Sequence, residues 1–350
     1  MPSSQGFVVQ FINRHQIAIT RNLLAVLYLG DLLGSRLSLS FHKCASKFLH
    51  LQYLSDRLEG TSYYDIGIND CYHVVYWVVL LTFMRAVLMQ YLFDPIAKHF
   101  FLVLSHKARV RFAEQSWSVV YYCFSFAFGL YLYYHSPYWN NIDNIFIGWP
   151  HYKMTALFKK YYLISIGFWL HQLVALNIEE RRKDFVQMFF HHIVTCSLVI
   201  GSYYYYFNRI GNLILMIMDS VDILLSTAKI LKYSSYTRAC DAMFGLFVVA
   251  WVALRHGVYN YLFYISWHRS TELMLASECI TGMLQKRCWN SYVINGFLSL
   301  LGGLQIISLV WLYMIGKVIL RVIRGQNAED VRSGTEDTDN EQEDSPADTK

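Results

Sequence analysis

The chain has 350 residues, of which 55% are hydrophobic, 17% are aromatic and 16% are charged, and its formal net charge is +5 at pH 7. An average soluble domain has about 25% charged residues, so this composition excludes an ordinary soluble protein and favours a membrane protein. No nucleic-acid partner is expected.

The apolar residues occur in blocks that are long enough to cross a bilayer. A helix needs about 20 mainly apolar residues to span about 30 Å of hydrocarbon. Seven windows approach or exceed this length: 71–94, 117–135, 161–178, 187–207, 210–230, 242–265 and 292–320. An earlier window, 18–40, is weaker because Arg21, Asp31 and Arg36 interrupt it. Since the blocks lack the strict alternation of barrel strands, we predict an all-α, polytopic membrane protein with seven to eight transmembrane helices.

The sequence divides into three predicted segments. Residues 1–60 are predicted to form an N-terminal segment with the first span, and residues 61–322 a transmembrane catalytic bundle. Residues 323–350 are acidic and have no large apolar residue after Val331, so they cannot bury a core. We predict that this tail is disordered and cytosolic.

Basic residues indicate the orientation in the membrane. With eight spans, the basic stretches at 98–111, 181–183, 232–238 and 317–324 lie on one side, which we predict to be cytosolic. Loops on the opposite side also contain lysines, for example Lys159, so the bias is modest.

The seven cysteines show no metal-binding spacing. Cys279 and Cys288 share the loop between the last two predicted spans, which this topology places in an oxidising lumen. The sequence therefore allows a disulfide between them. The thirteen histidines include no His-x-x-His or His-x-x-x-His pair, so neither di-iron chemistry nor another metal site is expected.

Four ionisable residues lie in consecutive apolar windows: His191 and His192, then Asp219 and Asp222. Such groups are costly in hydrocarbon, which favours a functional site. Adjacent histidines on a helix point 100° apart, whereas aspartates three residues apart share a face, and Lys229 returns to nearly that face. A carboxylate beside an imidazole can fix its tautomer, so we expect one histidine to act as general base or nucleophile. The alternative is a His–Asp pair that only joins two helices.

Short motifs surround these residues: Arg182-Lys183-Asp184-Phe185, His191-His192-Ile193-Val194-Thr195, Ser202-Tyr203, Arg209-Ile210-Gly211, Asp219-Ser220-Val221-Asp222 and Ala228-Lys229. Together they resemble the Lag motif of the ceramide synthases, in the TLC-domain family, and they look closer to fungal members. Upstream, Arg111-Phe112 and Trp149-Pro150 fit the same pattern. The resemblance covers roughly residues 60 to 320, so it implies that the predicted bundle of residues 61–322 is a TLC domain.

The resemblance implies an enzyme that transfers a fatty acyl group from acyl-CoA to the amine of a sphingoid base, forming (dihydro)ceramide at the endoplasmic reticulum membrane. Acyl-CoA is a co-substrate, and no other cofactor is expected. We predict that His191 attacks the thioester, or deprotonates the amine directly, supported by His192, Asp219 and Asp222. The predicted substrate-binding residues are Arg181, Arg182, Lys183, Ser202, Tyr203, Arg209 and Lys229. The positive-inside rule alone can also account for the basic loop. A homodimer or a small accessory membrane subunit is compatible with the resemblance.

The main alternative is a non-catalytic protein of the same superfamily that assists polypeptide translocation. Such proteins resemble the regions 63–93 and 149–170, but they lack the paired histidines and the Asp-x-x-Asp sequence. The presence of both features here favours the synthase. A receptor with seven or eight spans has no support beyond the number of helices.

Overall fold

The computed structural model describes residues 7–58, 60–178, 184–275 and 290–324. Within these ranges the chain is mainly helical, so the predicted all-α class is confirmed. The helices are α1 (Phe7–Leu37), α2 (Leu39–Leu49), α3 (Asp70–Leu88), α4 (Asp94–His99), α5 (His106–Tyr134), α6 (Ala156–Ile178), α7 (Phe185–Tyr204), α8 (Asn208–Tyr233), α9 (Thr237–Ala250), α10 (Tyr259–His268), α11 (Ser270–Leu275) and α12 (Ser291–Ile323). Two π-helical segments, Met89–Phe93 and Trp251–Val258, join α3 to α4 and α9 to α10. Each of the eight predicted spans coincides with one long helix or with two helices joined by a π-helical segment.

In the described part of the chain, six of these rods are long and apolar enough to cross a membrane: Arg14–Gly34, Asp70–His99, Ala156–Ile178, Phe185–Tyr204, Thr237–His268 and Ser291–Arg321. The other two long helices, α5 and α8, pack extensively against each other. For α8 the lower hydropathy has a structural reason, because this helix carries buried polar residues such as Asp219 and Asn212. A total of eight crossings stays a prediction.

One end of the bundle carries a small antiparallel sheet that the sequence did not predict. Its strands, in the order in which they pair, are β1 (Leu54–Leu58), β2 (Thr61–Tyr64) and β3 (Met154–Thr155). The loops around the sheet are tied to one another. The Trp149 indole donates to the carbonyl of Tyr205 at 3.0 Å, and Arg269 pairs with Asp143 at 2.7 Å. We call this end of the bundle the sheet end. The opposite end carries the loops before α5 and after α8, and we call it the basic end.

A buried ion pair connects the helices just below the sheet. Lys159 on α6 is fully buried, and its Nζ lies 2.8 Å from Asp70 Oδ1 on α3. The same ammonium donates to the carbonyls of Gln52 and Asp65, and the hydroxyl of Tyr203 on α7 donates to Asp70 Oδ2 at 2.8 Å. The expectation that Lys159 is a loop charge was therefore wrong. Its charge is neutralised inside the protein, which strengthens the positive-inside bias.

Candidate active site

An apolar tunnel, partly open to solvent, encloses about 930 Å³ beside α7 and α8 and runs toward the sheet end. It lies between these helices and α12. Its apolar walls include Leu198, Val199, Ile214, Leu215, Met218, Phe297, Leu298, Leu301 and Leu304. Because α7 contributes residues from His191 to Ser202, the tunnel follows this helix for about 16 Å at 1.5 Å per residue.

A polar cavity, also partly open to solvent, encloses about 1280 Å³ on the side of the basic end. Its polar and charged lining residues include Arg85, Glu114, Gln115, Ser118, Gln172, Asp184 and Lys229. These come from five different helices or their ends, so tertiary packing alone brings them together. The cavity can accept a charged or strongly polar ligand.

The tunnel and the polar cavity share three lining residues: Trp169, His191 and Asp222. The two spaces therefore adjoin at these side chains, and we call this position the junction. The imidazole of His191 lies between two indoles, with ring centroids 5.8 Å from Trp169 and 5.0 Å from Trp311. These large rings restrict the histidine to an orientation beside the shared wall.

His192 lines the polar cavity but not the tunnel, as expected for the neighbour of His191 on a helix. It is 4% exposed, and its Nδ1 lies 2.6 Å from the carbonyl oxygen of Met188, one turn earlier. A carbonyl only accepts, so Nδ1 carries the proton that is donated in this bond. In the neutral ring the Nε2 atom then keeps its lone pair, which is the form a general base requires.

Asp222 forms an ion pair that the sequence analysis did not anticipate. Nη2 of Arg255 donates to Asp222 Oδ1 at 2.7 Å, and the guanidinium lies 4.4 Å from the centroid of the Trp251 ring. Arg255 is 3% exposed and belongs to the π-helical segment between α9 and α10. The available signal was an arginine in the middle of the apolar window 242–265, since a charge at that depth usually marks a site.

Asp219, the other predicted catalytic carboxylate, lines neither the tunnel nor the polar cavity. It is 3% exposed and lies close to Ser125, Tyr121 and Tyr161. The structure thus brings Asp222 to the junction with His191 and places Asp219 behind the wall. Within the described ranges, no three His, Cys, Asp or Glu side chains are arranged to hold a metal ion.

The predicted substrate-binding residues are spread over the molecule. Ser202 lines the tunnel and Lys229 lines the polar cavity. Tyr203 lines neither and bonds to Asp70, while Arg209 lies at the sheet end, where it donates to the carbonyl of Asn144. Five further predicted residues lie outside the described residues: Arg181, Arg182, Lys183, Cys279 and Cys288.

A third cavity, of about 1090 Å³, opens at the sheet end beside Arg209 and His151. Burial, reinforced by the nearby Arg209 charge, lowers the pKa of His151 from 6.5 to about 4. Its Nε2 donates to the carbonyl of Ile147 at 3.0 Å. His151 is therefore held neutral at physiological pH, well away from the junction.

Comparisons with known proteins place the chain in a family. The TLC-domain model matches residues 111–317, more than half of the chain. The sphingosine N-acyltransferase lag1 of Schizosaccharomyces pombe is 40% identical over 311 residues, which cover 87% of this chain and 76% of the relative. The chain belongs to the ceramide synthase branch of the TLC-domain family. The sphingosine N-acyltransferase-like protein ALT7 of Alternaria alternata is 38% identical, covering 81% and 71% of the two chains. The ceramide synthase LAG1 of Saccharomyces cerevisiae is 33% identical, and the match covers 85% of this chain and 72% of the relative.

The predicted resemblance and the predicted class of enzyme, an acyltransferase, are confirmed at the level of this family. The matched TLC-domain region contains the three residues of the junction, Trp169, His191 and Asp222, and also Arg255 and Trp311. The named relatives are N-acyltransferases or ceramide synthases. They favour the catalytic alternative over the translocation helper.

Proposed function

We propose that this protein is a ceramide synthase that transfers a fatty acyl group from acyl-CoA to the amine of a sphingoid base. The observation that carries the proposal is the junction, where an apolar tunnel and a polar cavity adjoin at His191 and Asp222. An acyl-CoA has the same division into an apolar tail and a polar, anionic head. The names of the relatives point to the same reaction.

The two parts of the acyl donor suit the two spaces. The fatty chain occupies the tunnel, where burial of each methylene contributes about 0.8 kcal/mol. Lys229 in the polar cavity can pair with phosphate groups of the CoA head, helped by the predicted basic loop 181–183. This placement puts the thioester at the junction, next to the imidazole of His191.

The proposed chemistry starts with the lone pair of His191 adding to the thioester carbonyl carbon. The C–S bond then breaks, CoA leaves as a thiolate that takes up a proton, and the acyl group stays on the imidazole. The amine of the sphingoid base adds to this acyl group, the C–N bond to His191 breaks, and the amine proton passes to a base. His192 Nε2 suits that step because Nδ1 is committed to Met188. In the alternative route, His191 removes the amine proton and the amine attacks the thioester directly.

Asp222 and Asp219 complete the proposed set in different ways. Asp222 lines both spaces and stabilises positive charge at the junction, including the imidazolium that forms during the reaction. Asp219 lies behind the wall, close to Ser125, Tyr121 and Tyr161. It therefore acts as a positioning residue and does not contact the substrate. The reaction uses acyl-CoA as co-substrate and requires no further cofactor.

Purified protein in detergent, incubated with acyl-CoA and a sphingoid base, tests the proposal by mass spectrometry of the product. We expect ceramide and free CoA from the wild type, and a loss of at least about 100-fold for His191→Ala, as for removal of a general base or nucleophile. The control is His268→Ala, an exposed histidine on α10 that lines neither space. Failure to form ceramide from any acyl-CoA length would contradict the function, and an unimpaired His191→Ala variant would contradict the site.

A single turnover with acyl-CoA alone separates the two chemical routes. The covalent route predicts CoA release and a protein mass increased by the acyl group. The general-base route predicts neither until the sphingoid base is added.

The proposed location is the endoplasmic reticulum membrane with a cytosolic C terminus. The same proposal includes a homodimer or a small accessory membrane subunit.

A further inference from the structure

Arg255 has more hydrogen-bonding capacity than its visible partners use. An arginine has five N–H donors. Both hydrogen bonds of the Arg255 guanidinium come from Nη2, one to Asp222 Oδ1 at 2.7 Å and a longer one to the carbonyl of Met218 at 3.4 Å. The Nε atom is buried, and no acceptor in the described part of the chain engages it. Among the described residues, the N–H group on Nε and the two on Nη1 therefore have no acceptor after Asp222 has been neutralised.

A buried arginine whose only role is to neutralise an aspartate would have a high free-energy cost. Both charges lose their hydration, and unpaired donors in the interior add to that cost. The side chain is nevertheless held firmly, because the guanidinium lies on Trp251 and the ion pair fixes one edge of its plane. A fixed donor group with unused N–H bonds is suited to an acceptor that is present only during turnover.

The position of Arg255 identifies that acceptor. Arg255 lines the apolar tunnel but not the polar cavity, so it does not face the place proposed for the phosphates of CoA. The only strong acceptor that a fatty acyl group carries into the tunnel is its carbonyl oxygen. His191, Asp222 and Arg255 all line the tunnel, and Arg255 is bonded to Asp222, so a carbonyl carbon beside His191 brings its oxygen toward the guanidinium.

We propose that Arg255 is a catalytic residue that donates hydrogen bonds to the acyl carbonyl oxygen, an inference that rests on the proposed acyl transfer. When a nucleophile adds its electron pair to the carbonyl carbon, the C=O π pair moves onto oxygen, and the guanidinium stabilises this oxyanion. When the oxyanion collapses, the C=O bond re-forms and the C–S bond breaks, with the electron pair leaving on sulfur. Arg255 neither gains nor loses a proton in these steps.

Two unreactive analogues of acyl-CoA test this role without turnover. In the dethia ketone, CH₂ replaces the thioester sulfur and the carbonyl stays; in the thioether, CH₂ replaces the carbonyl. We expect wild-type protein to bind the ketone about 10-fold more tightly than the thioether, as for a hydrogen bond to a charged donor. Arg255→Lys keeps a positive charge for Asp222 but loses the planar donor edge, so the ketone preference should disappear while thioether affinity is unchanged. Its kcat should fall by about 100-fold or more.

A double-mutant cycle excludes a role that acts only through Asp222. If Arg255 merely holds Asp222, then Arg255→Met combined with Asp222→Asn is no worse than Asp222→Asn alone. We expect the double variant to lose a further 10-fold or more in kcat, because the oxyanion contact is also lost. The matched control is Arg269→Met, which removes an arginine from another 2.7 Å ion pair, that with Asp143, away from both spaces.

The outcomes separate this inference from the proposed function. If wild-type protein makes ceramide but binds the two analogues equally, or if Arg255→Lys retains the ketone preference, the inference is wrong and the function stands. If wild-type protein binds neither analogue and makes no ceramide, the proposed function itself is wrong. Unchanged thioether binding shows that a variant has kept its fold, so loss of activity cannot be attributed to unfolding.

Discussion

Val199 lies on the wall of the apolar tunnel, eight residues beyond His191 on α7, and is 5% exposed. At 1.5 Å per residue it is about 12 Å from the level of His191 along the helix axis. A C–C bond of about 1.5 Å at an angle near 111° advances an extended chain by about 1.25 Å. The ring introduced by Val199→Phe should therefore obstruct the tunnel near the tenth carbon of an acyl chain attached at the junction.

The expected effect depends on acyl length. Chains of up to about ten carbons still fit, so their kcat/KM should change little. A 16-carbon chain would lose the burial of about six methylenes, or up to about 5 kcal/mol, which corresponds to a loss of more than 1000-fold. A mixture of acyl-CoA lengths, incubated with one sphingoid base, measures all ratios together when the ceramides are quantified by mass spectrometry.

Ile200→Phe supplies the matched control. Ile200 adjoins Val199 in sequence but is 43% exposed and lines neither the tunnel nor the polar cavity, so the same ring added there should leave the length profile unchanged. An equal loss for short and long chains in Val199→Phe would refute the reasoning, because it would mean that the chain does not pass Val199. A shift of the profile in Ile200→Phe would refute it as well.

Three other changes test the sheet end. Lys159→Met leaves Asp70 buried without its cation and should destabilise the protein by about 3–5 kcal/mol, seen as a lower melting temperature in detergent. Tyr203→Phe removes the hydroxyl that donates to Asp70 and should lower stability by about 1–3 kcal/mol at unchanged KM; a raised KM would instead support its predicted contact with substrate. His151 has a pKa of about 4 in the folded protein and of about 6.5 in the unfolded chain. As the pH drops from 7 to 4 the unfolded chain therefore binds more protons, and the free energy of unfolding should fall by up to about 3 kcal/mol. His151→Gln should flatten this pH dependence, whereas His99→Gln, an exposed control, should leave it in place.

The positions of the helices followed from local sequence. Whether some 20 consecutive residues can cross a bilayer depends on their own composition, so the windows around α7 and α12 were visible without knowledge of their neighbours. The paired histidines were visible for the same reason, because an ionisable side chain in hydrocarbon is costly wherever the other helices lie. The strands of the small sheet were not visible, since β2 and β3 are about 90 residues apart and each is too short to show a periodic pattern.

The carboxylates show where helical periodicity reaches its limit. Asp219 and Asp222 are three residues apart, and their directions from the helix axis therefore differ by about 60°. That angle is small enough to predict a shared face but large enough for one side chain to line a cavity while the other lies behind its wall. Only the packing of α8 against α5 and the π-helical segment decides which of them lines the two spaces together with His191.

The sequence by itself determined that this chain is a helical membrane protein of the ceramide synthase branch, and it predicted His191, His192 and an Asp-x-x-Asp pair as the catalytic residues. Tertiary structure alone decided that Asp222 pairs with Arg255, and that an apolar and a polar space adjoin beside His191. The physical reason is that composition and periodicity are properties of one segment. A cavity or an ion pair lies between segments. The residues that form it depend on how far each helix is rotated and shifted relative to its neighbours.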